Sequence, residues 1–210
     1  MRSTSQNVIQ LDPSHLVGRG KRRECYAHPA DDKLCIKVIV NGDGRESRRE
    51  AKYYQHLKRR NISWQLLARY HGSVKTNLGE GDVFDLVRDS DGKVARTFHH
   101  YLTSPEELNR HQAGLVEALA QLRDYLLRER VITVELKERN MVYRRNHDGC
   151  GEMVLVDNLG TSDFLPVCYY VGSLAERRVR RTWQRFMTRL PRMHPNNTAL
   201  REMIAALNDD

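Results

Sequence analysis

A single charged side chain interrupts an apolar segment of this 210-residue chain. Residues 34–40 are Leu-Cys-Ile-Lys-Val-Ile-Val, a pattern that predicts a strand buried on both faces with Lys37 at its centre. Burying a lysine is costly unless an anionic group lies beside it, and the alternative is a strand edge from which the ammonium group reaches solvent. The segment therefore predicts a sheet in which this lysine has an acidic partner.

A candidate partner lies on the predicted helix that follows. Residues 43–46 have the form of a capping box, in which Asp43 is the N-cap and Glu46 is the third helical residue. The spacing of the next apolar positions places Glu50 on the core-facing side of this helix. We therefore expect Lys37 to pair with Glu50, since the competing acid, Glu46, is already used by the cap.

Composition narrows the class of protein. Hydrophobic residues make up 40% and charged residues 30% of the chain, which is typical of a globular protein. No apolar run reaches the roughly 20 residues of a membrane helix, and the polar first ten residues do not have the pattern of a signal peptide. The cysteines form no CxxC pair, so we expect a reduced, cytoplasmic protein with free thiols: Cys25, Cys35, Cys150 and Cys168.

The order of predicted elements separates two halves. The first half contains a hairpin within residues 16–29, the strand and helix above, and two or three strands within residues 69–87. The second half begins with a helix capped by Ser104, and its remaining elements are predicted strands at residues 141–143 and 153–156 and helices at residues 174–190 and 199–207.

Two clusters of residues could carry chemistry. Gly18 and Gly20 are one residue apart and would let backbone amides approach a phosphate, although an ordinary turn has the same composition. Asn140 precedes the first strand of the second-half hairpin and Asp157 follows the second strand. Because an antiparallel hairpin brings its open ends together, these two oxygen-bearing side chains could bind Mg²⁺. Polar residues also collect at hairpin ends without any such role.

The succession of these features resembles the protein-kinase-like superfamily. More closely, it resembles the bacterial family of PhoP regulatory network protein YrbL, over about residues 14–165. The segments that carry the resemblance are residues 18–29, 35–37, 48–54, 69–72, 136–140 and 157–158.

The resemblance implies an α+β, protein-kinase-like fold in a single domain. Residues 1–90 would form a β-rich N-terminal lobe, and residues 91–210 would form a reduced helical C-terminal lobe. It implies ATP and Mg²⁺ as ligands, phosphoryl transfer to an unidentified acceptor as a possible activity, and a role in a bacterial magnesium-responsive regulatory network.

The resemblance also implies a role for each site residue. Gly18 and Gly20 would cover the phosphates, and Lys37, held by Glu50, would contact two of them. Residues 86–89 would lie near adenine. The remaining roles belong to the second half: Asn140 and Asp157 would bind Mg²⁺, Lys137 would neutralise the transferred phosphate, and Glu135 would stand where kinases place the catalytic aspartate.

The chain departs from the kinase pattern at several positions. Thr133-Val134-Glu135 replaces His-Arg-Asp, and a carboxylate displaced by about 1 Å can cost about 100-fold in rate. Arg23 stands in place of the third glycine, where it either crowds the phosphate loop or adds a positive contact. Little chain follows Gly160 for a peptide-binding platform. Nucleotide and metal binding are therefore better supported than phosphoryl transfer.

The net charge of +8 is concentrated in one segment. Residues 176–192 hold seven arginines and one acid, and the predicted helix over residues 174–190 is amphipathic. Its apolar side contains Val179, Trp183, Phe186, Met187 and Leu190, and its basic side contains Arg177, Arg178, Arg181, Arg185 and Arg189. We expect this helix to dock on the body with a solvated basic face.

Two alternatives to a nucleotide-dependent enzyme stay open. One is a pseudokinase-type regulatory module that contacts a protein partner. The other is a nucleic-acid-binding protein that acts through residues 177–192, although no zinc finger, RNA-binding aromatic motif or helix-turn-helix pattern accompanies them. Arg177, Arg181 and Arg185 could also contact a protein partner or an acidic or phosphate-bearing surface. The nine histidines are scattered, and we expect surface or packing roles for them rather than metal binding.

Overall fold

The first half of the chain forms an antiparallel sheet. The computed structural model describes residues 8–147, 150–162 and 167–209. Five strands lie in the spatial order β1-β2-β3-β5-β4. Their bounds are β1 Leu16–Arg19, β2 Arg23–His28, β3 Asp31–Ile39, β4 Tyr70–Thr76 and β5 Gly79–Asp85. The hairpin, the strand that carries Lys37 and the strand pair after the helix are confirmed, with β3 beginning three residues earlier than predicted.

Helix α1, Arg45–Arg59, connects β3 to β4 and has one clearly buried side. That side includes Glu50, as predicted, and the core residues Tyr53, Tyr54 and Leu57. The predicted capping box is wrong: the N-cap is Gly44 in the left-handed conformation, φ 71°, without a side-chain cap. Asp43 instead accepts hydrogen bonds from Arg45, and Glu46 pairs with Arg22.

The second half contains a small sheet and four helices in the part of the chain that the structure describes. The sheet has the order β6-β7-β8, and Met141 pairs with Leu155. The bounds are β6 Arg96–Thr97, α2 Phe98–Thr103, α3 Pro105–Arg128, β7 Met141–Arg145, β8 Gly151–Leu155, α4 Gly172–Met193 and α5 Thr198–Asp209. The predicted long helix, hairpin and two C-terminal helices are confirmed.

The main apolar core is continuous between the halves. Helix α3 lies at its centre, since it packs against β8 and α5 and buries one side rich in leucine: Leu108, Leu115, Leu119, Leu122 and Leu126. The same cluster of buried side chains includes Tyr53 and Phe84 from the first half and Leu115 and Leu126 from the second. The fold is thus α+β, with a sheet-rich N-terminal region and C-terminal helices. Among the described helices, none has both the length and the apolar character needed to cross a membrane.

Candidate functional site

Lys37 extends from the centre of β3 towards the hairpin of the second half. It is only 8% exposed. Its Nζ donates a hydrogen bond to the Val156 carbonyl at 2.6 Å and lies 3.8 Å from Asp157 Oδ2. It also lies 4.4 Å from the centre of the Phe84 ring, so its ammonium group has an apolar wall on one side. The fold therefore brings the lone strand lysine and the acid after the second hairpin into contact.

Arg23 lies at the centre of a cluster of four charged residues, here called the cleft: Arg23, Lys37, Glu50 and Asp157. Its guanidinium pairs with Glu50 Oε2 at 2.8 Å and with Asp157 Oδ1. The predicted ion pair between Lys37 and Glu50 is therefore wrong, because Glu50 uses Arg23 and Lys37 approaches Asp157. Strand alternation gives the reason: Cys25 is directly opposite Lys37, so Arg23, two residues earlier, faces the same side with a longer side chain.

Glu50 connects α1 to the segment after β8. It is 3% exposed, and its Oε1 accepts a hydrogen bond from the Leu159 amide at 3.0 Å. Burial raises the pKa of Glu50, and the nearby Asp157 carboxylate raises it further. The charges of Arg23 and Lys37 and the hydrogen bond from Leu159 oppose this rise.

Asp157 remains ionised in this environment. Burial favours its neutral form, but the charges of Lys37 and Arg23 outweigh burial and hold the pKa of Asp157 below its ordinary value. Its Oδ1 also accepts a hydrogen bond from the Asn158 amide at 2.6 Å. The cleft thus holds an anionic oxygen ligand flanked by two cations, a charge pattern suited to a phosphate ligand together with its metal ion.

Asn140 lies beside Asp157 at the open end of the β7–β8 hairpin. It ends a short 3-10 turn, Glu138–Asn140, and its carbonyl accepts a hydrogen bond from the Val156 amide at 2.9 Å. The hairpin register therefore pairs the Asn140 backbone with Val156, the residue before Asp157. That the two side chains share a metal ion stays a prediction. Both are hard oxygen donors of the kind that Mg²⁺ prefers.

The Glu135 carboxylate is held by two cations. Lys137 Nζ lies 3.1 Å from Glu135 Oε2, and Arg189 pairs with Oε1 and donates to the Leu136 carbonyl. The prediction that Arg189 belongs to the solvated basic face is therefore wrong. One residue before the buried Leu190, it lies about 100° from the centre of the apolar side, and its long side chain reaches the loop.

The two glycines flank the end of β1: Gly18 lies within the strand, and Gly20 begins the turn to β2. The Gly20 amide donates to the Arg23 carbonyl at 2.8 Å, and a Cβ on Gly20 would lie 3.1 Å from that oxygen. A Cβ on Gly18 would meet no atom within 4 Å. Close packing therefore explains glycine at position 20, whereas Gly18 lies at an irregularity in the β1–β2 pairing and has room for a side chain.

Residues 86–89 connect the two sheets. The Leu86 amide donates to the Lys33 carbonyl at 2.7 Å, and the buried Asp89 pairs with Arg145 on β7. Two surface cavities of about 550 and 220 Å³ lie near this segment, and both include Arg88. Neither is lined by Lys37 or Asp157.

Comparison with known proteins identifies the family. The family model of PhoP regulatory network protein YrbL matches residues 9–191. The chain is 39% identical over 186 residues to YrbL of Escherichia coli (strain K12), covering 86% of this chain and 87% of that protein. The YrbL protein of Shigella flexneri matches to the same extent. The chain belongs to the YrbL family.

Sequence reasoning missed three features of the site. The bridging role of Arg23 could have been found from strand alternation, since it shares a face with Cys25. The contact of Arg189 with Glu135 joins positions too far apart for any local pattern to indicate. The third feature is a cluster of two histidines and an acid, described below.

Proposed function

We propose that this protein binds Mg·ATP in a kinase-like cleft between its two halves. The observation that carries the proposal is the 3.8 Å approach of Lys37 Nζ to Asp157 Oδ2. Protein kinases place a lysine on the third strand, an acid on the next helix and a metal-binding aspartate after a later hairpin. Here Lys37 is on β3, Glu50 is on α1 and Asp157 follows β8.

Each cleft residue has a role in this proposal. Lys37 would contact the α- and β-phosphates, and the turn with Gly18 and Gly20 would cover them. Asn140 and Asp157 would hold Mg²⁺ through oxygen atoms. The adenine would lie near residues 86–89. This binding would take place in the cytoplasm, where reduced thiols are stable.

Arg23 would share Asp157 with the proposed metal ion. The guanidinium pairs with Asp157, and bound Mg²⁺ would take over part of that charge balance. Arg23 would keep its contact with Glu50 and turn its free N–H groups towards phosphate oxygens. In this proposal the residue at the third-glycine position adds a positive contact to the phosphate site.

A regulatory role without phosphoryl transfer is the second part of the proposal. A catalytic base needs a carboxylate free to accept a proton, whereas Lys137 and Arg189 both pair with Glu135. The family description places its members in the PhoP regulatory network. We therefore favour a pseudokinase-type module whose nucleotide-bound form contacts a partner in a magnesium-responsive system.

Thermal unfolding with and without ligand tests the binding. ATP with Mg²⁺ at about 100 times its Kd should stabilise the protein by about 2.7 kcal/mol, a rise of roughly 5–10 °C in Tm for a domain of this size. Lys37→Met should abolish the rise, and the matched control Lys33→Met, at an exposed position of the same strand, should retain it. An equal rise in Tm in both variants would show that Lys37 does not contribute to nucleotide binding.

A phosphate-release assay distinguishes the proposed regulatory module from an enzyme. Wild type and Glu135→Gln should release inorganic phosphate from Mg·ATP at the same background rate. A wild-type rate more than about 100-fold above that of Glu135→Gln would show that Glu135 acts as a general base in phosphoryl transfer to water, and would contradict a role without catalysis.

A further inference from the structure

Three metal-ligating side chains meet outside the cleft. His99 is on the first turn of α2, Glu138 begins the 3-10 turn that ends at Asn140, and His194 caps the end of α4. One ligand atom from each lies within 4.8 Å of the others. The three residues are far apart in sequence, so only the folded chain brings them together.

The polar atoms of this cluster are poorly satisfied. His99 Nδ1 and His194 Nε2 are both inaccessible to solvent and have no hydrogen-bond partner. Glu138 is only 3% exposed. In the described part of the chain its ion-pair partner is His99, whose Nδ1 lies 3.7 Å from Glu138 Oε1. Buried polar groups are costly unless something satisfies them. A cation shared by the three side chains would satisfy them all.

We propose that His99 Nδ1, His194 Nε2 and the Glu138 carboxylate bind one Zn²⁺ ion, with water as the fourth ligand. Two imidazoles and one carboxylate form a ligand set that zinc accepts, whereas Mg²⁺ prefers oxygen atoms alone. Zinc–ligand bonds of about 2.0–2.1 Å place tetrahedral ligand atoms about 3.4 Å apart. The 3.7 Å pair nearly meets this distance, and His194, beyond the last turn of α4, could approach by a small backbone shift.

Arg139 competes with the metal through the protonation of His99. Arg139 Nη2 donates to His99 Nε2 at 2.8 Å, which fixes the proton of a neutral ring on Nδ1. Binding of Zn²⁺ to Nδ1 requires that proton on Nε2, so the exposed Arg139 side chain must leave. Replacing Arg139 with a hydrogen-bond acceptor should therefore strengthen zinc binding, as acceptors behind histidine ligands do.

The ion would connect α2, the end of α4 and the turn that positions Asn140. Zinc would thereby hold the loop that carries one predicted Mg²⁺ ligand. The zinc site does not depend on the proposed nucleotide site, because the two share no ligand.

Zinc titration of the full-length, chelator-treated protein against a chromogenic competitor tests the proposal. We expect one Zn²⁺ per chain, with affinity reduced at least about 100-fold in His99→Ala and in His194→Ala. The control His100→Ala, the next residue on α2, should bind as wild type. Arg139→Gln should bind up to about 10-fold more tightly. Excess Mg²⁺ should not compete.

Co²⁺ substitution provides a readout that does not depend on how well the variants fold. Wild type should show the visible absorption of tetrahedral cobalt without a thiolate charge-transfer band. The proposal is overturned if no stoichiometric zinc binds, if both histidine variants bind as well as His100→Ala, or if the wild-type cobalt spectrum contains a thiolate charge-transfer band.

Discussion

The cleft and the outer face of α4 are both rich in charge, but they use it differently. In the cleft, Arg23, Lys37, Glu50 and Asp157 each approach an opposite charge. On α4, Arg177, Arg181 and Arg185 are exposed and form no ion pair within the described part of the chain. The sequence contains basic residues in both regions, and the two regions differ in how deeply those residues are buried.

The difference shows which charges carry structural information. A buried charge without a partner costs several kcal/mol, so its surroundings must supply one. An exposed arginine is solvated, and even an ion pair there contributes only about 0–1 kcal/mol. A buried charge such as Lys37 or Glu50 therefore predicts that an opposite charge lies beside it. The exposed α4 arginines place no such requirement on their neighbours.

The largest expected effect comes from removing the cation shared by the cleft acids. Arg23→Ala leaves Glu50 and Asp157 close together without their common partner and should lower the free energy of unfolding by about 3–5 kcal/mol at neutral pH. The control Arg185→Ala should change it by less than about 0.5 kcal/mol. Urea unfolding measures both, and equal effects would contradict the distinction between the two regions.

The pH dependence of the same variant sharpens the comparison. Arg23 lowers the pKa of both cleft acids, so its removal raises both values in the folded state. Folded Arg23→Ala then binds more protons than folded wild type, and its stability falls relative to wild type as pH rises. The deficit should be largest at neutral pH and shrink at mildly acidic pH. A deficit independent of pH would show that Arg23 acts by packing alone.

A smaller effect is expected from the backbone that follows Asp157. Gly160 has φ +91°, and an added Cβ would lie 2.8 Å from Tyr169 Oη. Gly160→Ala should cost about 1–3 kcal/mol, because backbone strain and this clash add. The control Gly92→Ala has φ +81° and no atom within 4 Å of the added Cβ, so only backbone strain remains. Equal losses of unfolding free energy would show that the clash is relieved without cost.

The smallest effect is expected on α4. Replacing Arg177, Arg181 and Arg185 together with glutamine should leave stability within about 1 kcal/mol of wild type. If the basic face binds nucleic acid only non-specifically, Kd should be about 10⁻⁴–10⁻⁶ M at physiological salt. Fluorescence anisotropy with short RNA and DNA checks this. Nanomolar, strongly salt-dependent affinity lost in the triple variant would instead favour the nucleic-acid-binding alternative.

Local patterns predicted the elements but not the choice of charge partners. Hairpin logic alone placed Asn140 opposite the residue before Asp157, since strand register is short-range information. The partner of Glu50 depended on which of two cations on one sheet face reaches it. The meeting of Glu135 with Arg189, and of Glu138 with His194, depends on how α4 docks, which no local spacing encodes.

The central claim is tested most directly by two calorimetric titrations of the wild type with ATP. One is carried out in the presence of Mg²⁺ and the other in the presence of EDTA. Mg²⁺-dependent binding of one ATP per chain is expected, with the metal dependence lost in Asp157→Asn and retained in the exposed control Asp91→Asn. An absence of heat at every ATP concentration, or identical Mg²⁺ dependence in Asp157→Asn and wild type, would contradict it.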